Sequence, residues 1–146
     1  MNYRSIFLFC GLVSLANAAY GSTAEEFEIR ITGISSCQGN VMLAVYDNGS
    51  HFMNIEQAVV KKAINLATAD CASILLYRIA IPYGQYAIVV YHDANSNGIH
   101  DKNMFGVPTE TWGVSNNARP LFREPKFREC AFTHAASRTS VTIEIQ

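Results

Sequence analysis

The residues best suited to chemistry lie in one run, 92–101, which reads H-D-A-N-S-N-G-I-H-D. Asp93, Asn95 and Asn97 stand at every second position, Gly98 follows, and Asp101 closes the run. A hard cation such as calcium takes about six to eight oxygen ligands. Side chains at alternate positions of a tightly turning loop can converge on one point, and glycine permits the turn. The backbone carbonyl of Ile99 adds an oxygen, and Glu110 is the nearest carboxylate that could fold back. The spacing matches the first part of an EF-hand loop. Met104 stands where that loop carries its bidentate glutamate. The expectation is a structural calcium site on Asp93, Asn95, Asn97, Ile99, Asp101 and Glu110. Magnesium suits it less, because it demands stricter geometry and holds its waters. The alternative is an Asn- and Gly-rich turn closed by side-chain-to-backbone hydrogen bonds.

Other combinations of residues compete with it. A hydrolase could use His92, Asp93 and Glu110, with His51 or His100. His92 and Asp93 are neighbours on an expected strand, however, and should face opposite ways. No G-x-S-x-G, H-E-x-x-H or S-x-x-K motif is present, so a non-catalytic protein is expected. His51, His92, His100 and His134 could ligate zinc or copper but are scattered along the chain. Trp112, in a polar loop, could contact a ligand together with Asn116 and Asn117, or could pin its loop to the body. Arg119, Arg123, Lys126, Arg128 and Arg138 alternate with Glu124 and Glu129, as on a solvated face.

The address bears on what such a loop could meet. Arg4 opens an apolar run over residues 5–15, and Ala16-Asn17-Ala18 offers a signal-peptidase site. The run is too short to span a bilayer, so a secretory signal over 1–18, cleaved after Ala18, is expected. The expected product is a single domain over 19–146, periplasmic or secreted and not inserted in a membrane. Of 146 residues 128 would remain (146 less 18), with 10 basic (11 less Arg4) and 12 acidic, net −2. That balance argues against a nucleic-acid partner and leaves an envelope protein or a glycan. Cys37, Cys71 and Cys130 would remain. An oxidising compartment favours one disulfide among them. If strands run alternately up and down, the turns at Cys37 and Cys71 share an end, which favours that pair.

The elements that position the loop follow from period-2 patterning. Strands are expected over 27–32, 41–46, 59–66 (weakly), 74–81, 85–92 and 139–145. The 85–92 stretch, Q-Y-A-I-V-V-Y-H, is apolar on both faces and should be central. A turn is expected at 70–72, and a loop or helical turn at 51–57. Residues 93–128 lack periodicity. Short strands separated by turn signals indicate an all-β antiparallel sandwich of about six or seven strands. One long loop region would leave the central strand, and loops on such scaffolds commonly carry binding sites.

The block H-D-A-N-S-N-G-I-H-D, followed by F-G-V-P-T-E-T-W-G-V-S-N-N-A, resembles the signature of a bacterial exported family, domain-of-unknown-function family 2141. G-Q-Y-A-I at 84–88 is similar to that family's P-x-G-x-Y-A segment. The resemblance spans about 27–145. It implies a secreted or periplasmic β-sandwich similar to prealbumin-like and carboxypeptidase-regulatory-like domains, without an established activity. Ile99-His100 departs from the usual polar-then-apolar pair, and the cysteines are not part of the signature.

Overall fold

A computed structural model describes residues 23–69, 74–121 and 123–146. The expected signal segment with its cleavage site, and the 70–72 turn with Cys71, lie outside the described residues. The Cys37–Cys71 pairing therefore lies outside them as well.

Alternation builds the strands as read. In β1 (Glu25–Thr32), Phe27, Ile29 and Ile31 are fully buried while their neighbours face outward. Next come β2 (Asn40–Tyr46), a single 3-10 turn at Ile55–Gln57, β3 (Val60–Asn65) and β4 (Ile74–Ile81). β5 (Gly84–Asp93) is the longest strand. β6 (Trp112–Val114), a 3-10 turn at Ser115–Asn117, α1 (Phe127–Cys130), β7 (Phe132–His134) and β8 (Ser140–Glu144) complete the order.

Two sheets face each other, one ordered β4-β1-β8 and the other β3-β2-β5-β6, with β7 also paired to β5. The pairings are antiparallel except β1 with β8, which run parallel. The fold is the expected antiparallel β-sandwich, with this one parallel pair in it. The chain crosses to the second sheet after β1, returns for β4, crosses again at β5 and comes back for β8, so no hairpin links β1 to β8.

β5 is central because both of its faces find apolar cover. Tyr86, Ile88 and Val90 enter the main core with Phe27, Val41, Leu43 and Ile143. Ala87 and Val89, on the opposite face, join a second cluster with Val114 and Cys130. Burying each large aliphatic side chain contributes about 1.5–3 kcal/mol. Phe27 stacks on Phe132 with ring centroids 5.0 Å apart, tying β7 to the far sheet.

The expected long loop region, 93–128, is tied down by short elements: β6, the Ser115–Asn117 turn and the start of α1. The turn acts as a clasp. The fully buried Ser115 hydroxyl donates to the Cys130 carbonyl at 2.6 Å and accepts from the Ile88 N–H at 2.9 Å. Asn116 and Asn117 both have positive φ, 61° and 50°, a conformation that asparagine tolerates better than most residues. The Asn116 amide donates to the Ala131 carbonyl at 2.8 Å, and the Asn117 side-chain oxygen accepts from the Glu144 N–H at 2.9 Å. Three consecutive side chains thus satisfy backbone groups of β5, β8 and the α1–β7 segment.

Ser115→Ala would leave a buried N–H and a buried C=O without partners. Urea unfolding should show a loss of about 2–4 kcal/mol.

Candidate functional site

β5 ends at Asp93, whose side chain is only 1% exposed. A buried carboxylate needs hydrogen-bond donors, and the following loop supplies them. Asp93 Oδ1 accepts from the Asn97 N–H at 3.0 Å, and Oδ2 from the Gly98 N–H at 2.9 Å. Bringing both donors to one carboxylate curls the chain, and Gly98 at φ 77° absorbs the turn. On the other side, the backbone of Gly39 lies so close that a Cβ there would run into the Asp93 carbonyl oxygen. The turn containing Gln38 and Gly39 therefore sits at the loop end of the sandwich, as the up-and-down strand order anticipates.

Within the curl the polar side chains converge. Asn95 and Asn97 both turn their amide N–H groups to Asp101 Oδ2, at 2.8 and 3.0 Å. Their own side-chain oxygens accept from the N–H groups of Asn97 and Ile99, at 3.0 and 2.8 Å. Glu110 does fold back: its Oε2 accepts from the Asp101 N–H at 3.1 Å. Tyr91 donates its hydroxyl to the Gly98 carbonyl at 3.3 Å. Burial raises that phenol above 10.0, and the negative charges of Asp93, Glu110 and Asp101 raise it further. His100 stacks on Tyr91 with ring centroids 4.8 Å apart, and burial lowers its imidazole below 6.5. The structure thus brings Asp93, Asn95, Asn97, Asp101 and Glu110 into one hydrogen-bonded network. Ile99 lies on its rim with its side chain exposed.

Beyond the network, residues 102–108 form a small hairpin arm. Lys102 bridges Pro108, and Asn103 donates its N–H to the Val107 carbonyl at 2.8 Å. The Asn103 side chain accepts from the N–H groups of Phe105 and Val107. The arm holds Met104 and Phe105 outward, 90% and 83% exposed.

The other expected sets do not come together. His92 Nε2 donates to the Gln38 carbonyl at 2.8 Å. Among the described residues, no hydrogen bond or ion pair joins it to Asp93 or Glu110. His134 sits between Phe27 and Tyr83, its Nδ1 3.2 Å from the Arg138 carbonyl oxygen. Among the described residues no three His, Cys, Asp or Glu side chains cluster as a metal site, and this holds for the four histidines and for Asp93, Asp101 and Glu110 alike. Cys130 is a free, buried thiol, raised to about 11 by burial and then by the Glu129 charge.

Trp112 is packed down, half-buried, with the Arg119 guanidinium 4.8 Å above its ring. Its backbone exchanges hydrogen bonds with Gln146. Asn116 and Asn117 point their polar groups at backbone, as the clasp requires. Sequence reading missed the exposed pair Met104 and Phe105. The signal was present as seven uncharged residues, N-M-F-G-V-P-T, at 103–109.

A family model described as "Uncharacterized protein conserved in bacteria (DUF2141)" matches residues 29–142, in keeping with the resemblance carried by the 84–118 motifs. No curated protein and no solved structure matches the chain.

Asp93→Asn offers one acceptor oxygen where two N–H groups need one each. It should cost about 2–3 kcal/mol in urea unfolding. Hydrogen exchange should accelerate first at the Asn97 and Gly98 amides.

Proposed function

Taking as premise that the chain belongs to this uncharacterized bacterial family, we propose that it is a non-catalytic binding or assembly module of the cell envelope. In this reading it is exported by the 1–18 signal, works in the periplasm or outside the cell, and carries a Cys37–Cys71 bridge at its loop end. The rigid 93–111 loop displays the apolar arm tip to an envelope protein, with a glycan as the alternative partner. A structural calcium ion strengthens the loop.

The observation that carries the reading is the convergence of Asp93, Asn95, Asn97 and Asp101 at the end of the longest strand. Two amide groups placed on one carboxylate oxygen stand where a cation would balance charge. The donor set consists of hard oxygens, which suits calcium. Binding requires Asn95 and Asn97 to rotate so that oxygen replaces nitrogen, a near-isosteric exchange. The rotation gives up two backbone contacts of about 0.5–1.5 kcal/mol each. Affinity should therefore fall near the weak extracellular range, a Kd of about 10⁻⁴–10⁻³ M. Asp93, Asn95, Asn97, Asp101, Glu110 and the Ile99 carbonyl would hold the ion, which supplies charge neutralisation and stiffness.

Thermal melts test this. At about 5 mM calcium the melting temperature should rise by about 5 °C, and a chelator should reverse the rise. Asp101→Asn should abolish the response while leaving the calcium-free melt nearly unchanged. An equal calcium response in that variant contradicts the assignment.

A further inference from the structure

A groove of about 460 Å³ lies between the turn around residues 49–53 and the segment 124–128. It is a shallow cleft open to solvent, so it would cover one face of a small molecule and leave the other in water. We infer that this groove binds a small amphipathic organic anion, its apolar body on Phe52, Met53 and Phe127 and its acidic head on Lys126 and Arg128.

The apolar wall is built, not incidental. Phe52 and Phe127 meet edge to face, with centroids 5.8 Å apart. Phe52 in turn rests edge-on against the buried Tyr46 at 5.4 Å. Met53 lines the groove from a backbone φ of 69°. A non-glycine residue rarely adopts that conformation, and strain of this kind tends to gather where a side chain is held for a purpose.

The charge at the rim decides the class of ligand. Lys126 and Arg128 are exposed, and neither makes an ion pair among the described residues. The neighbouring Glu129 carboxylate is taken first by Arg123 and feels Arg128 only at longer range, with no ion pair between them. Arg123 grips it at 2.6 and 2.9 Å, and it also accepts from the Lys126 N–H at 2.8 Å. Among the described residues, Glu124 is the one acid lining the groove. Two cations against one carboxylate leave a positive surplus beside an aromatic and thioether wall. An anionic head with an apolar body complements both; a neutral apolar body would leave the cations unused.

The test uses 8-anilinonaphthalene-1-sulfonate as the probe and the neutral N-phenyl-1-naphthylamine as its control, followed by fluorescence on the folded full chain. The sulfonate should bind saturably at one site, about tenfold more tightly than the neutral dye, and Lys126→Ala/Arg128→Ala should weaken it about fivefold. Lys61→Ala/Lys62→Ala, an equal charge loss on β3, should leave the affinity unchanged. Thermal melts confirm that the variants stay folded. Backbone amide spectra give a second readout, with shifts at Gly49 and Phe127 as the probe is added. Non-saturable binding, equal affinity for the neutral dye, an unchanged Kd in Lys126→Ala/Arg128→Ala, or shifts away from Gly49 and Phe127 would overturn the inference.

Discussion

The buried carboxylate of Asp93 is the constraint on which the loop end depends. It closes the central strand at 1% exposure, where water cannot solvate it. Two backbone N–H groups from the residues that follow are therefore drawn back onto it. That recoil places Asn95, Asn97 and Asp101 around a common point and sends the chain outward as the 102–108 arm. A buried charge with unmade hydrogen bonds would cost several kcal/mol. The loop's shape is thus set by electrostatic need more than by local propensity.

A second set of contacts makes the scaffold stiff enough for that recoil to matter. The Ser115, Asn116 and Asn117 side chains clasp β5, β8 and the α1–β7 segment. The returning strand β8 passes so close to β6 that a Cβ at Gly113 would run into the Glu144 carbonyl oxygen. The end of the chain then exchanges hydrogen bonds with Trp112. Both sheets are joined beside the point where the loop departs and returns. The Arg123–Glu129 pair, which holds the Glu129 carboxyl at about 2, fixes the short helix that walls the groove on the other side of the clasp.

The long strands were legible in the sequence because alternation in 27–32 and 139–145 reports directly on one buried face, and the apolar run 85–92 on two. The crowding of oxygens at Asp93, Asn95, Asn97 and Asp101 was legible for the same reason: turn residues at alternate positions have few other geometries. β6 and β7 were not, since three-residue strands are too short to show a period. The parallel pairing of β1 with β8 was hidden because periodicity is blind to direction. Asn116 and Asn117 read as ligand contacts because an exposed-looking polar pair carries no mark of the backbone groups it will meet. The groove was equally invisible. Phe52 and Phe127 are far apart in sequence, and Lys126 and Arg128 look like any solvated face until Arg123 is seen to have taken Glu129.

The proposal to be tested first is a cation site in the 93–101 loop, with the Asn95 and Asn97 amides holding its geometry in the ion's absence. The most direct measurement is a ¹⁵N spectrum of the Asn95 and Asn97 side-chain amides during a calcium titration. The account predicts that both amide pairs shift together and saturate with one dissociation constant, as nitrogen leaves Asp101 and oxygen takes its place. Amide signals that stay fixed at saturating calcium would contradict it.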